Sequence, residues 1–235
     1  MRGIILAGGT GSRLVPLTKT INKHCLPVGS VPMIYHPLRV LRDNGIEDIT
    51  IVSSPSGVGQ LAALLGSGHD HGCTFTYRVQ DQPGGIAAAL ACAFGEPEQL
   101  AVILGDNVFL HSPNFRLKTE PDEALCFLTE INDADVIRQF GVAVFGADDH
   151  LEEIMEKPNS PPSNFAVTGL YVFPPCVQLK LHRLVVGKRG EFEITDLLNM
   201  YGMVDSLRYQ KVDGFWGDAG THEGIAECSA AIRRK

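Results

Sequence analysis

This sequence predicts an α/β fold, a mostly parallel sheet flanked by helices, on three observations. Strand-like and helix-like patterns alternate through residue 106, as a chain of βαβ units requires. After Asp106 the rhythm changes to successive strand-like runs with few helices between them, which predicts a smaller, more antiparallel second half. Hydrophobic residues make up 44% and charged residues 20% of the 235 residues, ordinary globular usage that excludes disorder as the main state. The expected architecture is Rossmann-like, in one domain over residues 1–235, with halves of about 1–110 and 111–235. No sequence repeat and no Gly, Ser or Pro-rich linker separates them.

The elements follow in order. Arg2–Ala7 is an apolar strand that stops at a glycine-rich turn. Val31–Asn44 repeats apolar residues at helical spacing and stops at Gly45, with Pro37 perturbing its first part. Asp48–Ser53 is β-branched and strand-like, Gln60–Leu65 helical, and Phe75–Gln80 alternates as a strand. Ile86–Phe94 reads as an alanine-rich helix and Leu100–Leu104 as a buried strand. Then come strands at Glu123–Ile131, Gly141–Phe145, Leu151–Glu156 and Phe165–Phe173, with a proline-rich loop at Pro158–Ser163. Helices are expected at Val177–Val186, Ile194–Tyr201 and Thr221–Arg234, and a strand near Leu207–Val212.

Several classes of function fall away. No run of about 18 apolar residues exists to span a membrane, and the four-residue apolar stretch near the N-terminus is no signal-peptide core, so a cytoplasmic protein is expected. A net charge of −7 argues against nucleic-acid binding. Residues 1–42 nevertheless hold six basic residues (Arg2, Arg13, Lys19, Lys23, Arg39, Arg42) and no acid, an excess suited to a small polyanion. Cysteines at 25, 73, 92, 126, 176 and 228 show neither disulfide nor zinc spacing, and Cys92 and Cys126 read as buried small hydrophobes. His69-Asp70-His71 lies among glycines and reads as a loop, not a metal site.

Leu6-Ala7-Gly8-Gly9-Thr10-Gly11-Ser12-Arg13-Leu14 follows the first strand, and its glycines let backbone amides approach a phosphate. A tight turn that merely needs glycine is the alternative. A dinucleotide fingerprint fails, because Leu14 stands where the third glycine belongs and the first acidic residue is Asp43; this disfavours a nicotinamide oxidoreductase. A P-loop fails for want of Gly-Lys-Ser/Thr. Arg13 and Lys23 flank the loop with the charges a triphosphate tail needs. Asp106 ends an apolar strand, where ligands gather in open parallel sheets, and Asp218 ends another apolar stretch. Singly, either carboxylate reads sooner as a cap or turn residue than as a ligand.

Gly-Gly-x-Gly-x-Arg-Leu, Pro16-Leu17-Thr18, Lys23 and Leu26-Pro27 together resemble the start of the sugar-1-phosphate nucleotidylyltransferases, above all the thymidylyl-transferring members. The likeness continues through Val79-Gln80, Gly84-Gly85, Leu104-Gly105-Asp106-Asn107, Phe140-Gly141-Val142, Glu156-Lys157-Pro158, Val167-Thr168-Gly169-Leu170-Tyr171, Arg189-Gly190-Glu191 and Trp216-Gly217-Asp218-Ala219-Gly220-Thr221. In family order and over nearly the whole chain, these blocks are specific together and weak alone.

The resemblance implies a nucleotide-diphospho-sugar transferase fold, with residues 1–110 nucleotide-binding and 111–235 sugar-binding. It implies dTTP and glucose 1-phosphate as substrates, with UTP, CTP or another sugar 1-phosphate left open. Arg13, Lys23 and Lys157 would be catalytic. Leu6, Gly8, Gly9, Gly11, Ser12, Gln80, Gly85 and Asp106 would bind nucleotide. Asn107, Gly141, Glu156, Val167 and Arg189 would bind the sugar phosphate, and Asp106 with Asp218 would hold Mg²⁺. Read singly, Gln80 is equally a strand-end cap, Glu156–Lys157 a solvated pair and Arg189 a surface cation. Intact phosphate grips and metal ligands speak against a non-catalytic sugar-nucleotide sensor. Family members are often homo-oligomers, and longer ones carry a helical extension with an allosteric site, where this chain ends at Lys235 and is expected to lack that regulation. Phe140 for Tyr, Ala88 for Gln, Gly84 for Asp and His24-Cys25 for Gln-Leu depart from the family pattern and bear on substrate detail.

Overall fold

The computed structural model describes residues 1–115, 120, 122–187 and 190–234. Strand β1 (Arg2–Ala7) leads into the glycine loop, and a short hairpin of β2 (Pro27–Val28) and β3 (Val31–Pro32) precedes helix α1 (Tyr35–Asp43). The helix starts later than the apolar spacing predicts, because Val31–Pro32 pairs with Pro27–Val28. Pro37 then falls in the first helical turn, whose amides have no acceptor within the helix. Next come β4 (Asp48–Ser53), α2 (Pro55–Leu65), β5 (Thr74–Val79), α3 (Ile86–Ala91) and β6 (Leu100–Leu104). Helix α2 begins one turn earlier than expected: Pro55 opens it, and the Ser54 side chain accepts from the Gly57 amide, which outweighs the two early glycines.

The rest comprises β7 (Asn107–Phe109), β8 (Ala124–Glu130), α4 (Ala134–Ile137), β9 (Gly141–Phe145), β10 (Leu151–Glu156) and β11 (Phe165–Phe173). Then follow α5 (Val177–Leu181), α6 (Ile194–Gly202), β12 (Leu207–Lys211), β13 (Trp216–Asp218) and α7 (His222–Arg233). Helix α5 is shorter than the expected Val177–Val186, since Val185 and Val186 are exposed and bury nothing that would hold a further turn.

Among the described residues, nine strands form one sheet. Its first part runs β5-β4-β1-β6, all parallel. Strand β11 continues it antiparallel to β6, and also pairs antiparallel with β8 and β9. Strand β10 closes one edge against β9, and β12 lies parallel to β8. The expected contrast between a parallel first half and a more antiparallel second half is therefore what the chain builds.

Alternation in β1 explains the layers. Ile4 and Leu6 join Ala89, Leu90, Leu197 and Leu198 beneath α3 and α6, while Ile5 and Ala7 join Leu38, Leu41, Leu61 and Leu65 beneath α1 and α2. Each large side chain so buried contributes about 1.5–3 kcal/mol, so both faces are held strongly. Chain order reverses between β1 and β6, where crossovers leave in opposite directions. In doubly wound sheets that switch point opens a crevice at the carboxyl ends of the strands. The Gly105 amide bonds the Leu6 carbonyl there at 2.9 Å, placing the glycine loop beside Asp106. No helix among the described residues is long and apolar enough to cross a membrane.

Candidate active site

A cleft of about 590 Å³ opens at this switch point and runs along the sheet to β9, β10 and β11. Of the residues expected from the sequence, it is lined by Leu6, Gly8, Gly9, Arg13, Lys23, Gln80, Gly85, Asp106, Asn107, Gly141, Glu156, Lys157, Val167 and Asp218. Gly11 and Ser12 do not line it, and Arg189 lies outside the described residues. Gly11 instead takes φ 68° and caps the short helical turn Ser12–Leu14, its carbonyl accepting from Thr18 Oγ1 at 2.7 Å. It shapes the loop that aims Arg13.

The other loop glycines are explained by what stands against them. A Cβ on Gly8 would lie 2.6 Å from Gln80 Oε1, and one on Gly9 would lie 3.2 Å from Lys23 Nζ. Their absence lets an amide and an ammonium close over the loop. Gly85 takes φ 89°, and a Cβ there would lie 2.6 Å from the Phe192 carbonyl. This glycine is demanded first by the backbone and by the 191–192 segment packed on it. Gly85→Ala should cost at least about 1–2 kcal/mol, since the residue must leave the left-handed region or push that segment away. For a chain of this size the melting temperature should fall by roughly 2–8 °C in a thermal scan, and an unchanged value would show that the segment yields freely.

The charges converge around Gly220. A Cβ on it would lie 2.8 Å from both Arg13 Nη2 and Asp218 Oδ1 and 3.2 Å from Asp106 Oδ2. Asp106 is 8% exposed and its Oδ2 is ion-paired with Lys23 Nζ. Burial works against its charge, but the Lys23 ammonium holds the carboxyl well below the usual carboxylate range. Asp218 moves the other way. Burial first, and Asp106 second, push its pKa up to about 6, against the Gly220 amide that donates to Oδ1 at 2.7 Å. One carboxylate is thus firmly ionised and its neighbour protonates readily. Two hard oxygen donors of this kind suit a hard divalent cation.

At one end, Gln80, Pro83, Gly84, Gly85 and Ile86 form a narrow polar and apolar rim. The Gln80 backbone N–H donates to the Ser53 carbonyl at 2.8 Å, and its side-chain Oε1 stands over Gly8. At the other end stand Gly141, Glu156, Lys157 and Val167, with Gln139, Phe140, Thr195 and Trp216. Phe140 meets Trp216 edge to face at 5.2 Å. Lys157 has φ 45°, unusual for a residue with a side chain; its amide bonds the Phe140 carbonyl at 3.0 Å and its Nζ stands 3.7 Å from Glu156 Oε1. Asn107 is nearly buried. Its Oδ1 accepts from Trp216 Nε1 at 2.6 Å and from the Gly169 amide at 2.8 Å, so any ligand contact it makes runs through its NH₂.

Reading residue by residue did not single out Trp216, Thr195, Gln139, Thr10 or His24 as site residues. Trp216 had a signal, since it stands two residues before Asp218 and in a strand such residues share a face. His24 is 1% exposed beside Lys23, and burial, reinforced by the Lys23 charge, pulls its pKa down to about 3.

The sequence profile of the family described as "Nucleotidyl transferase" matches residues 2–235. Glucose-1-phosphate thymidylyltransferase of Neisseria meningitidis is 37% identical, over 99% of this chain and 83% of that protein. The enzyme of the same name from Mycobacterium tuberculosis is 35% identical, over 99% of this chain and 82% of its own length. A crystal structure described as a candidate glucose-1-phosphate thymidylyltransferase from Bacillus anthracis, in complex with sucrose, superposes with a TM-score of 0.92 at 42% identity, covering 100% of this chain and 96% of that one. A UDP-glucose pyrophosphorylase complexed with UDP-glucose gives a TM-score of 0.85 at 26% identity, covering 99% and 98%.

Proposed function

We propose, from the premise that this chain belongs to the nucleotidyl transferase family, that it transfers a thymidylyl group from dTTP to glucose 1-phosphate, releasing pyrophosphate. The observation that carries this reading is the meeting of Arg13, Lys23, Asp106 and Asp218 at the switch point, between the rim at Gln80 and Gly85 and the end lined by Gly141, Glu156 and Val167 in one cleft. Names shared with relatives at 35–37% identity over almost the full chain support the substrate pair.

A phosphate oxygen of the sugar 1-phosphate bonds to the α-phosphorus of dTTP while the bond from that phosphorus to the bridging oxygen of pyrophosphate breaks. No general base is needed, because a phosphomonoester with a second pKa of about 6 is mostly dianionic at pH 7. The obstacle is repulsion between two polyanions and poor alignment, so neutralisation and positioning carry the rate. Arg13 and Lys23 neutralise the phosphates that leave, over the backbone of Leu6, Gly8 and Gly9 and the turn set by Gly11 and Ser12. Gln80 offers one donor and one acceptor to the pyrimidine edge, above the backbone of Gly85. Glu156 accepts from sugar hydroxyls, the backbone of Gly141 and Val167 and the NH₂ of Asn107 line the same end, and Lys157 aims the sugar phosphate. Arg189 is assigned to that phosphate on the family likeness alone. Asp106 and Asp218 would hold Mg²⁺, which when bound supplies positive charge to the phosphate oxygens.

The test is pyrophosphate release with each nucleoside triphosphate paired against several sugar 1-phosphates, with and without Mg²⁺. Turnover should be highest for dTTP with glucose 1-phosphate and vanish with chelator. Thymine and uracil differ by one methyl, worth about 1–3 kcal/mol in a pocket. Equal or faster turnover with UTP would remove the thymidylyl assignment and leave the reaction class.

A further inference from the structure

We propose that His24 is a positioning residue for Lys23: its ring wedges the turn that carries the lysine against the end of β6, so that the ammonium is held at Asp106 and over the glycine loop. The proposal rests on the functional reading above. Lys23 has four rotatable carbons and about 2 kcal/mol of rotamer entropy, so a long cation of this kind needs its backbone fixed if its charge is to stand at one place.

The fixing runs through side chains that the reaction itself does not use. Asn22 Oδ1 accepts from the His24 backbone amide at 2.9 Å and lies 2.9 Å from His24 Nδ1. An amide oxygen only accepts, so Nδ1 carries the ring proton and both bonds lock the residues on either side of Lys23. Asn22 is anchored in turn. Its amide donates to Gln60 Oε1 of α2 at 2.7 Å, and its Nδ2 donates to Ser53 Oγ at 3.3 Å. Ser53 Oγ donates to the carbonyl of Ala7, the last residue of β1, at 2.6 Å. On the opposite side the Cδ2–Nε2 edge of the ring stands against the backbone before Asp106: a Cβ on Gly105 would stand 2.5 Å from His24 Cδ2 and 2.7 Å from Nε2. The imidazole is therefore the spacer between the lysine's turn and the aspartate's strand, and Gly105 is glycine because the ring occupies its side-chain position.

The decisive experiment is a double-mutant cycle between His24→Ala and Lys23→Met. In the parent enzyme, His24→Ala should raise the KM for nucleoside triphosphate, and for pyrophosphate in the reverse direction, on the order of 10-fold, and lower kcat, while the KM for sugar 1-phosphate stays within about twofold. In the Lys23→Met background the same substitution should change these constants less than about twofold. Loss of the same factor in both backgrounds, or an equal rise in the sugar 1-phosphate KM, would overturn the proposal. If His24→Ala does not fold, Asn22→Ala removes the same anchor and should show the same coupling to Lys23. His24→Asn, which keeps a side-chain N–H at the place of Nδ1 for Asn22, should restore part of the rate, and no restoration would count against the anchor. Running the cycle in parallel on nucleoside triphosphate binding by calorimetry separates the two readings. Coupling in binding without turnover by the parent enzyme overturns the functional reading alone, and turnover without coupling overturns the positioning role alone.

Discussion

Asp106→Asn should lower kcat by about 10³-fold or more while leaving the circular dichroism spectrum unchanged. The carboxylate sits where β6 ends, paired with Lys23 and facing Asp218 across Gly220. Asparagine would weaken one of the two donors proposed for a divalent ion by taking away its charge and would leave the Lys23 ammonium without its counter-charge, and several kcal/mol of transition-state stabilisation correspond to three or more powers of ten in rate. The fold should survive, because Asn107 on the neighbouring strand and the Gly105–Leu6 bond hold the strand end without that carboxylate. Asp218 should respond as well: without Asp106 beside it, its pKa should fall back toward the usual carboxylate range. Activity within tenfold of the parent enzyme would remove Asp106 from the chemistry.

Asp218→Asn should abolish turnover and, in metal-free buffer near pH 7.5, make the protein more stable. The sign follows from proton binding. Folding raises the Asp218 pKa from 3.8 to about 6, so between those values the folded protein holds the proton more tightly than the unfolded chain. Its contribution to stability is therefore most favourable below about pH 4 and is lost as pH rises through about 6. Above that, the buried charge costs on the order of 3 kcal/mol relative to low pH. Asparagine carries no such charge, yet still offers Oδ1 to the Gly220 amide. The melting temperature should rise by roughly 3 °C or more at pH 7.5, and the gain should disappear near pH 4. A melting temperature that is unchanged or lower at pH 7.5 would show that the carboxylate is not strained by its surroundings. Stability given up for a site charge is a recurrent cost of binding sites.

Much of the fold was legible because its strands carry a simple pattern. Arg2–Ala7, Asp48–Ser53, Leu100–Leu104, Gly141–Phe145, Leu151–Glu156 and Phe165–Phe173 appear with the bounds their apolar runs predict. What escaped was too short to carry a period. The β7–β13 ribbon is three residues a side, and α4 is a single turn capped by Asp133. The start of α1 escaped for another reason: apolar spacing continues through Val31, and only pairing with Pro27–Val28 diverts it. At the site, the glycine loop pointed to Arg13 and Lys23, and the end of an apolar strand placed Asp106 at the crevice, whereas the metal-ligand role of Asp106 and Asp218 came through family likeness. Gln80, Gly141, Glu156 and Val167 came through family likeness, because a lone Gln or Val has no pattern of its own. Asn107 shows the limit of both routes, since its oxygen is consumed by Trp216 and Gly169, partners distant in sequence.

Strand β11 has a consequence for how the substrates meet. It is hydrogen-bonded along one margin to β8 and along the other to β6 and, at Ala166, to β9, so the ladder from Leu170–Phe173 to β6 ties the antiparallel strands to the parallel ones. Swinging one side against the other would tear that ladder, whereas moving a rim segment breaks few bonds. On the proposed function, the distance between the two ends of the cleft is consequently set at folding, like the span of a rigid jig, and a ligand larger than that span would be turned away instead of being accommodated by hinging.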